Sequence, residues 1–187
     1  MSQLNVNTIG ARTGTTISIA SGHTLSGLGS GITVADQFNL TTDITSPTNG
    51  SQTDITTNLS RSTGTLGGGN LGTGMSLSSG VFTFPSTGYY LVTLTGRMKS
   101  NTSPTNMFVT STDDNFSSEQ NIIVLQVYDA DSGDTSITAS GNALLDITNT
   151  SNDKVKLSYA LYGSNSKIVG SATSIETSVS FIRLGDT

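Results

Sequence analysis

The sequence predicts a nearly pure β protein folded as a sandwich, and two observations support this fold class. Hydrophobic residues are 33% of the 187 residues and charged residues 11%, both below ordinary globular usage, so small polar residues and glycine fill the chain. Such a composition is poor in helix formers and rich in strand and turn residues. Short apolar or alternating runs also recur about every 8–12 residues, with turn signals between them, which is typical of an all-β sandwich.

Residues 1–34 predict an N-terminal arm without a core of its own. Two short alternating runs, 4–9 and 15–19, are followed by apolar residues that are widely spaced among Gly and Ser. So little apolar surface does not stabilise an isolated sheet in water. We therefore expect an arm that docks on other proteins or intertwines in an oligomer, with a flexible tail as the alternative. Residues 35–187 form the predicted head domain.

The first part of the head predicts short strands joined by long polar connections. A strand is expected over 36–41, shorter strands near 53–59, and a long surface loop over 61–73. The loop contains Gly67-Gly68-Gly69, but neither a helix nor a Lys follows, so these glycines do not have the pattern of a phosphate-binding loop.

The stretch from Gly80 to Arg97 predicts two strands with a forced turn between them. Residues 81–84 are β-branched or aromatic, which suits a pleated, half-buried surface. Pro85 ends this strand because proline has no amide hydrogen to donate to a ladder. Gly88 closes the turn, since glycine adopts positive φ at no steric cost.

The strand that follows the turn is apolar on both faces. Strand alternation places Tyr90, Val92 and Leu94 on one face, with Tyr89 and Leu91 on the other. A strand with two apolar faces needs cover on both. We therefore expect a sandwich core on one side and a second layer or a neighbouring subunit on the other.

The second half of the head predicts six further strands at regular spacing. Residues 120–128 form the most apolar run in the chain, and their Ile and Val content predicts a buried strand. The six strands are expected over 107–110, 120–128, 135–147 with a break near Ser140-Gly141, 154–162, 167–172 and 177–184.

Three segments in the last two thirds of the chain form a recognisable set. They are an aromatic followed by Gly-x-Tyr-x-apolar-x-apolar (Phe82, Gly88, Tyr90, Val92, Leu94), then Leu145-Asp146-Ile147 with Asn152-Asp153-Lys154-Val155-Lys156-Leu157, and the closing run Ser178–Leu184. In this order they resemble the signature of C1q/TNF-like jelly-roll domains. Asn152 stands where that family usually has Gly, a tolerable exchange because Asn also adopts the left-handed conformation.

The resemblance implies a ten-stranded jelly-roll sandwich with three subunits around one axis. A compact trimer would also protect sheet edges and cover the strand that is apolar on both faces. The residues expected in the core or the trimer interface are Phe82, Tyr89, Tyr90, Val92, Leu94 and Phe181.

Calcium is the one inorganic ligand that the sequence suggests. Asp129, Asp131 and Asp134 place three carboxylates in one turn, and Asp113-Asp114 forms another acidic turn. Hard cations prefer such oxygen ligands, and some relatives of the C1q-like family bind calcium. The pattern lacks the ligand order and closing Glu of an EF-hand, so a solvated hairpin turn is the alternative. No other cofactor is expected.

The sequence argues against catalysis and against a nucleic-acid partner. His23 is the only histidine and lies in the Gly- and Ser-rich arm, which favours a free surface residue over a general base. No nucleophile elbow or P-loop is present, and most Asp residues lie in turns, so a paired-carboxylate glycanase is the least favoured alternative. A net charge of −5, with eight scattered Lys and Arg, does not suit a polyanion.

Composition also indicates the cellular compartment in which the protein is made. Cysteine is absent, so neither a disulfide nor a thiolate zinc site is expected. Residues 1–30 contain no apolar run of signal-peptide length, and no segment approaches the ~20 residues of a membrane span. We therefore expect manufacture in a cytoplasm, without membrane insertion.

These features predict a non-enzymatic virion structural protein of a tailed bacteriophage, with a trimeric head used for host-surface attachment. The run LNVNTI…GTTISI resembles the starts of phage fibre and structural proteins. Residues 1–34 would contact other virion proteins, and a host glycan or protein would bind at loops of the head. The alternatives are a purely structural capsid decoration, cement or head-fibre protein, and an exported adhesin, which would need a signal.

Three tyrosines and four loops are the candidate recognition elements of such a head. Tyr128, Tyr159 and Tyr162 would stack on sugars if they were exposed, although their strand positions favour core or interface packing. Three weak sites on one trimer would gain avidity without strong single contacts. The candidate loops are 61–73, 100–106, 111–118 and 163–166.

Overall fold

The computed structural model describes residues 31–100, 102–128 and 135–187. In this part of the chain the only helical element is one 3-10 turn, Gly64–Leu66, so the predicted all-β class is confirmed. The strands are β1 Ala35–Leu40, β2 Thr53–Asp54, β3 Leu59–Arg61, β4 Ser76–Ser78, β5 Val81–Thr83, β6 Gly88–Lys99, β7 Thr105–Thr112, β8 Gln120–Val127, β9 Ser136–Ile147, β10 Lys154–Leu161, β11 Lys167–Ile168 and β12 Ser178–Gly185.

Two antiparallel sheets form the predicted jelly-roll sandwich. Sheet A has the order β9-β6-β12-β1-β3, and the two-residue strand β11 pairs with the end of β6. Sheet B has the order β4-β5-β10-β7-β8, and the two-residue strand β2 pairs with β10. Ten strands thus make up the two five-stranded layers, as predicted, with β2 and β11 as short additions.

The two ends of the sandwich are distinct. At one end, which we call the proximal end, β1 begins at Ala35 and β6 begins at Gly88. Ala35 of β1 pairs with Ile182 of β12, and Ile182 pairs with Leu91 of β6, so the start of β1 and the start of β6 lie at the same end. At the opposite, distal end, β6 stops at Lys99. The chain therefore enters and leaves the described head at the proximal end.

The predicted turn between β5 and β6 connects the two layers. β5 stops before Pro85 and β6 begins at Gly88, but β5 belongs to sheet B and β6 to sheet A. Gly88 has φ +134°, and a Cβ atom there would lie 2.3 Å from the carbonyl oxygen of Gly185. Glycine is therefore needed both for the backbone conformation and for close contact with β12.

Aromatic side chains at the centre of the core connect both sheets. The Phe82 ring lies 5.0 Å from Phe38 and 5.1 Å from Phe181, and Phe84 lies 4.7 Å from Tyr90. The Tyr90 hydroxyl donates to the Ser86 carbonyl over 3.0 Å, so the buried phenol is satisfied. Edge-to-face and tilted geometries of this kind add to the free energy gained from burial.

Three predictions for individual strands are wrong. The strand expected over 167–172 is only the two-residue β11. β8 was expected to be a buried strand, but it is the edge strand of sheet B, and its outward residue Val124 is 57% exposed. β9 was expected to break near Ser140-Gly141, but it runs without interruption from Ser136 to Ile147. Gly141 serves close packing instead, because a Cβ atom there would lie 2.9 Å from Cγ2 of Ile123 across the sandwich.

Gly141→Val is expected to destabilise the head by about 1–3 kcal/mol through overpacking against Ile123. The double variant Gly141→Val with Ile123→Ala should be less destabilised than the sum of the two single variants, because the smaller side chain makes room. Urea denaturation of the three variants measures this coupling. Additive losses would contradict the proposed contact.

Candidate functional site

The outer face of sheet A carries a row of apolar side chains across four strands. Ala35 pairs with Ile182, Ile182 with Leu91, and Leu91 with Leu144, all on the face opposite the core. Leu144 is 59% exposed, whereas the other three are partly exposed. Tyr89 and Leu184, which are also exposed, lie beside this row at the proximal end. The apolar patch consists of Ala35, Tyr89, Leu91, Leu144, Ile182 and Leu184.

The apolar patch has a polar border. The next row towards the distal end is Gln37, Ser180, Thr93 and Asn142, aligned in the same register. At β1 the backbone of Leu71 pairs with Ala35, and this loop lines a groove of about 480 Å³ together with Ala35 and Ile182. A contiguous apolar surface with a polar rim is typical of a surface that binds another protein.

The structure separates the six residues predicted for the core or interface. Tyr89 is 39% exposed and belongs to the apolar patch. Of the other patch members, strand alternation predicts Leu91 on this face, whereas Leu144, Ile182 and Leu184 are not predicted as interface residues. Their alternation was visible in the sequence, but the pairing that aligns them was not. The remaining five nominated residues are fully buried in the core: Phe82, Tyr90, Val92, Leu94 and Phe181.

The predicted calcium ligands Asp129, Asp131 and Asp134 lie outside the described residues. Within the described residues, no group of three His, Asp or Glu side chains is arranged to hold a metal ion. Asp114, in the second acidic turn, accepts hydrogen bonds from the Thr112 hydroxyl at 2.8 Å and from the Ser118 amide at 2.9 Å. This carboxylate therefore stabilises its own turn.

The same bonds perturb the acidity of Asp114. The Ser118 hydroxyl donates to its carboxylate over 2.6 Å, and this bond, with those from the Ser118 amide and Thr112, lowers the pKa of Asp114 to about 2. The neighbouring residues Asn115 and Phe116 both have positive φ. The Asp114 hydrogen bonds hold this tight turn, which supports the structural explanation of the acidic pair.

The three candidate tyrosines have different environments. Tyr159 is buried, and its hydroxyl donates to the Ser46 carbonyl over 2.6 Å. Tyr128 and Tyr162 are 59% and 47% exposed, respectively. Both lie at the distal end of sheet B, because they follow the last residues of β8 and β10. The core or interface assignment therefore fits Tyr159, whereas Tyr128 and Tyr162 remain candidates for ligand binding.

The four candidate loops divide between the two ends. Of the described residues in these ranges, 100–106 and 163–166 lie at the distal end, whereas 61–73 and 111–118 lie at the proximal end. The loops are shorter than predicted, because Arg61 ends β3 and β7 runs from Thr105 to Thr112. No helix in the described part of the chain is long and apolar enough to cross a membrane.

The strand order and the two five-stranded layers define this domain as a TNF-like jelly roll. No protein-family model matches the sequence, and no curated protein matches it. Among solved structures, murine APRIL at pH 5.0 has a TM-score of 0.58 and 11% identity, covering 81% of this chain and 98% of its own. Eiger TNF from S. frugiperda has a TM-score of 0.58 and 12% identity, covering 82% and 93%.

A vertex protein has the same type of fold. The PRD1 vertex protein P5 is similar with a TM-score of 0.50 and 19% identity, covering 83% of this chain and 99% of its own. Identities this low establish a common fold and nothing finer.

Proposed function

We propose that this chain is a non-enzymatic structural protein of a bacteriophage virion, with a homotrimeric head that attaches to the host surface. The apolar patch on sheet A is the observation that carries the proposal. The C1q/TNF-like resemblance implies three subunits about one axis, and the patch supplies a surface for them. The PRD1 vertex protein P5 supports the virion setting, because it has the same type of fold.

Burial of the apolar patch in a trimer would explain why one chain exposes so much apolar surface. Leu144 and Leu184 are 59% and 55% exposed in one chain, an unfavourable arrangement for large aliphatic side chains in register with other apolar residues. Each square ångström of apolar surface removed from water contributes about 25 cal/mol. A trimer that covers the patch would gain this free energy three times.

The orientation of the head supports a role in attachment. The chain enters β1 at the proximal end, so an arm formed by residues 1–34 would reach the particle from that side. The distal loops 100–106 and 163–166, with exposed Tyr128 and Tyr162, would then face away from the particle. A receptor-binding head is expected to expose an aromatic or acidic cluster at its outer end, and tyrosine is frequent among residues that dominate binding energy.

A cement or head-fibre protein is the second candidate, and the position of the apolar patch favours it. Tyr89, Leu91 and Leu144 lie in the proximal half of sheet A, at the end where the chain enters the head. A capsid would cover the same surface that the trimer is proposed to cover. In this case the chain would be monomeric until it assembles on the particle.

The solution mass separates the two candidates. We expect three times the chain mass of 19.3 kDa for the full chain in light scattering after size exclusion, and a trimer also for residues 31–187. The shorter chain keeps Val34, which is buried and whose carbonyl accepts the Arg183 amide. A trimer of the full chain only would assign assembly to residues 1–30, and a monomer of both would favour the cement protein.

A further inference from the structure

The outer face of sheet B presents two exposed tyrosines at a fixed spacing near the distal end. Tyr162 and Tyr128 directly follow Leu161 and Val127, which both pair with Thr105 of the intervening strand β7. Leu161 and Val127 point into the core, so alternation assigns the two tyrosines to the outer face. Two strand spacings, about 10 Å, separate their backbones, a distance that a short oligosaccharide spans.

The ring of Tyr162 rests on a glycine. A Cβ atom at Gly50 would lie 2.6 Å from ring atoms Cδ1 and Cε1, so the ring is in direct contact with the glycine backbone. The Gly50 amide also donates to the Leu161 carbonyl over 2.8 Å. This contact orders the ring before a ligand arrives, which reduces the entropy cost of binding.

A buried amide oxygen without a hydrogen-bond partner lies in the adjacent row. Asn106 is 7% exposed and pairs with Ala160 on one side and Gln126 on the other, and its Oδ1 atom has no donor. The only other buried side-chain atom of this kind among the described residues is Oγ of Ser166, also at the distal end. Because such groups are rare in folded proteins, two at one end require an explanation.

The surface around the rings is neutral and rich in amides and hydroxyls. Asn106, Gln126 and Thr105 are the polar residues in the rows next to the rings. Towards the middle of the sheet, Gln52 extends across the strands, with its Nε2 atom 2.7 Å from the Ser158 hydroxyl and 3.1 Å from Asn121 Oδ1.

Nearer the rings, the described residues from Tyr159 to Leu161 and their strand partners include no charged side chain. The next row contains Asp54, which pairs with Ser158 and forms an ion pair with Lys156 at 2.9 Å. This chemistry fits a neutral sugar, whose C–H face stacks on an aromatic ring and whose hydroxyls pair with amides.

We propose that the distal outer face of sheet B binds a neutral oligosaccharide, with sugar rings stacked on Tyr128 and Tyr162 and hydroxyls bonded to the Asn106 amide. The inference rests on the proposed attachment role and names its ligand class. The site and the apolar patch are on opposite sheets, so a trimer would expose three copies. Three weak sites acting together gain affinity through multivalency.

The test uses the full chain on an immobilised panel of neutral and anionic oligosaccharides of two to four units. We expect binding to at least one neutral glycan, with little change between about 0.05 and 0.5 M salt because no ion pair is involved. Tyr128→Ala and Tyr162→Ala should each weaken this binding about threefold to tenfold. Phe116→Ala, which removes a partly exposed ring from the proximal end of the same sheet, should leave it unchanged.

The variant Asn106→Leu distinguishes a ligand-binding role of Asn106 from a purely structural role. Removal of a buried, unsatisfied amide should raise the Tm by about 2–4 °C while weakening binding, whereas a purely structural Asn106 would leave binding intact. Binding to anionic glycans alone, or binding that survives both tyrosine substitutions, would overturn the proposal. So would failure of a folded trimer to bind any neutral glycan on the panel. That last result would leave the homotrimeric head standing, because the solution mass tests the trimer independently.

Discussion

Replacing Leu144 with Lys is expected to convert the trimer into a folded monomer. Leu144 is 59% exposed in one chain and aligned with Leu91 and Ile182, so a Lys there costs a monomer little. In a trimer that covers the apolar patch, three ammonium groups would be placed in an apolar interface, with the exposed Asp146, two residues along β9, as a carboxylate on the same face. Desolvation of a charge costs several kcal/mol even when it is paired, so the substitution opposes assembly.

Val124→Lys provides a matched control. Val124 is 57% exposed, close to the value for Leu144, but it lies on the outer face of sheet B. Light scattering should give a monomer for Leu144→Lys and a trimer for Val124→Lys, with circular dichroism unchanged for both. A trimer for Leu144→Lys, or dissociation by both substitutions, would remove the apolar patch as the assembly surface.

Replacing Phe181 with Ala is expected to cause the largest loss of stability. Phe181 is fully buried on β12, with its ring 5.1 Å from Phe82 and 6.1 Å from Phe84, which belong to the opposite layer or its connection. Phe→Ala in a closed core costs about 3–5 kcal/mol, because transfer free energy is lost and a cavity is left. For a chain of this size we expect the Tm to fall by about 10 °C or more.

Ile182→Ala provides the control for the core substitution. Ile182 is the next residue on the same strand, but it points to the outer face and is partly exposed. Urea denaturation in the Leu144→Lys background, where the expected trimer does not contribute, should give a loss several times smaller for Ile182→Ala than for Phe181→Ala. Equal losses would show that the aromatic cluster does not dominate the core.

Local sequence pattern was sufficient for much of the fold. Pro85 and Gly88 marked the boundary between β5 and β6, because one lacks an amide hydrogen and the other tolerates positive φ. Alternation in β6 correctly divided Tyr90 and Val92 from Tyr89. These features depend on residues that are close in the chain, so they can be read without knowing any partner strand.

Long-range pairing decided what local pattern left open. The run that forms β8 is apolar enough for a central strand. In sheet B, however, β8 is the last strand and pairs only with β7 among the described strands. Gly141 looked like a strand breaker and instead allows the two layers to approach at Ile123. In both cases the deciding contact is with a distant part of the chain, which composition and periodicity do not reveal.

The candidate sites divide in the same way. Residue type and alternation identified Tyr89 and Leu91 as needing cover, and Tyr128 and Tyr162 as possible stacking rings. Their grouping depends on register, which aligns Leu91 with Leu144 and brings Tyr128 and Tyr162 to the same end of one sheet. Strand alternation follows from the backbone geometry of each residue. Register follows from the free energy of packing the whole sandwich, so only the folded chain specifies the apolar patch and the face with the two tyrosines.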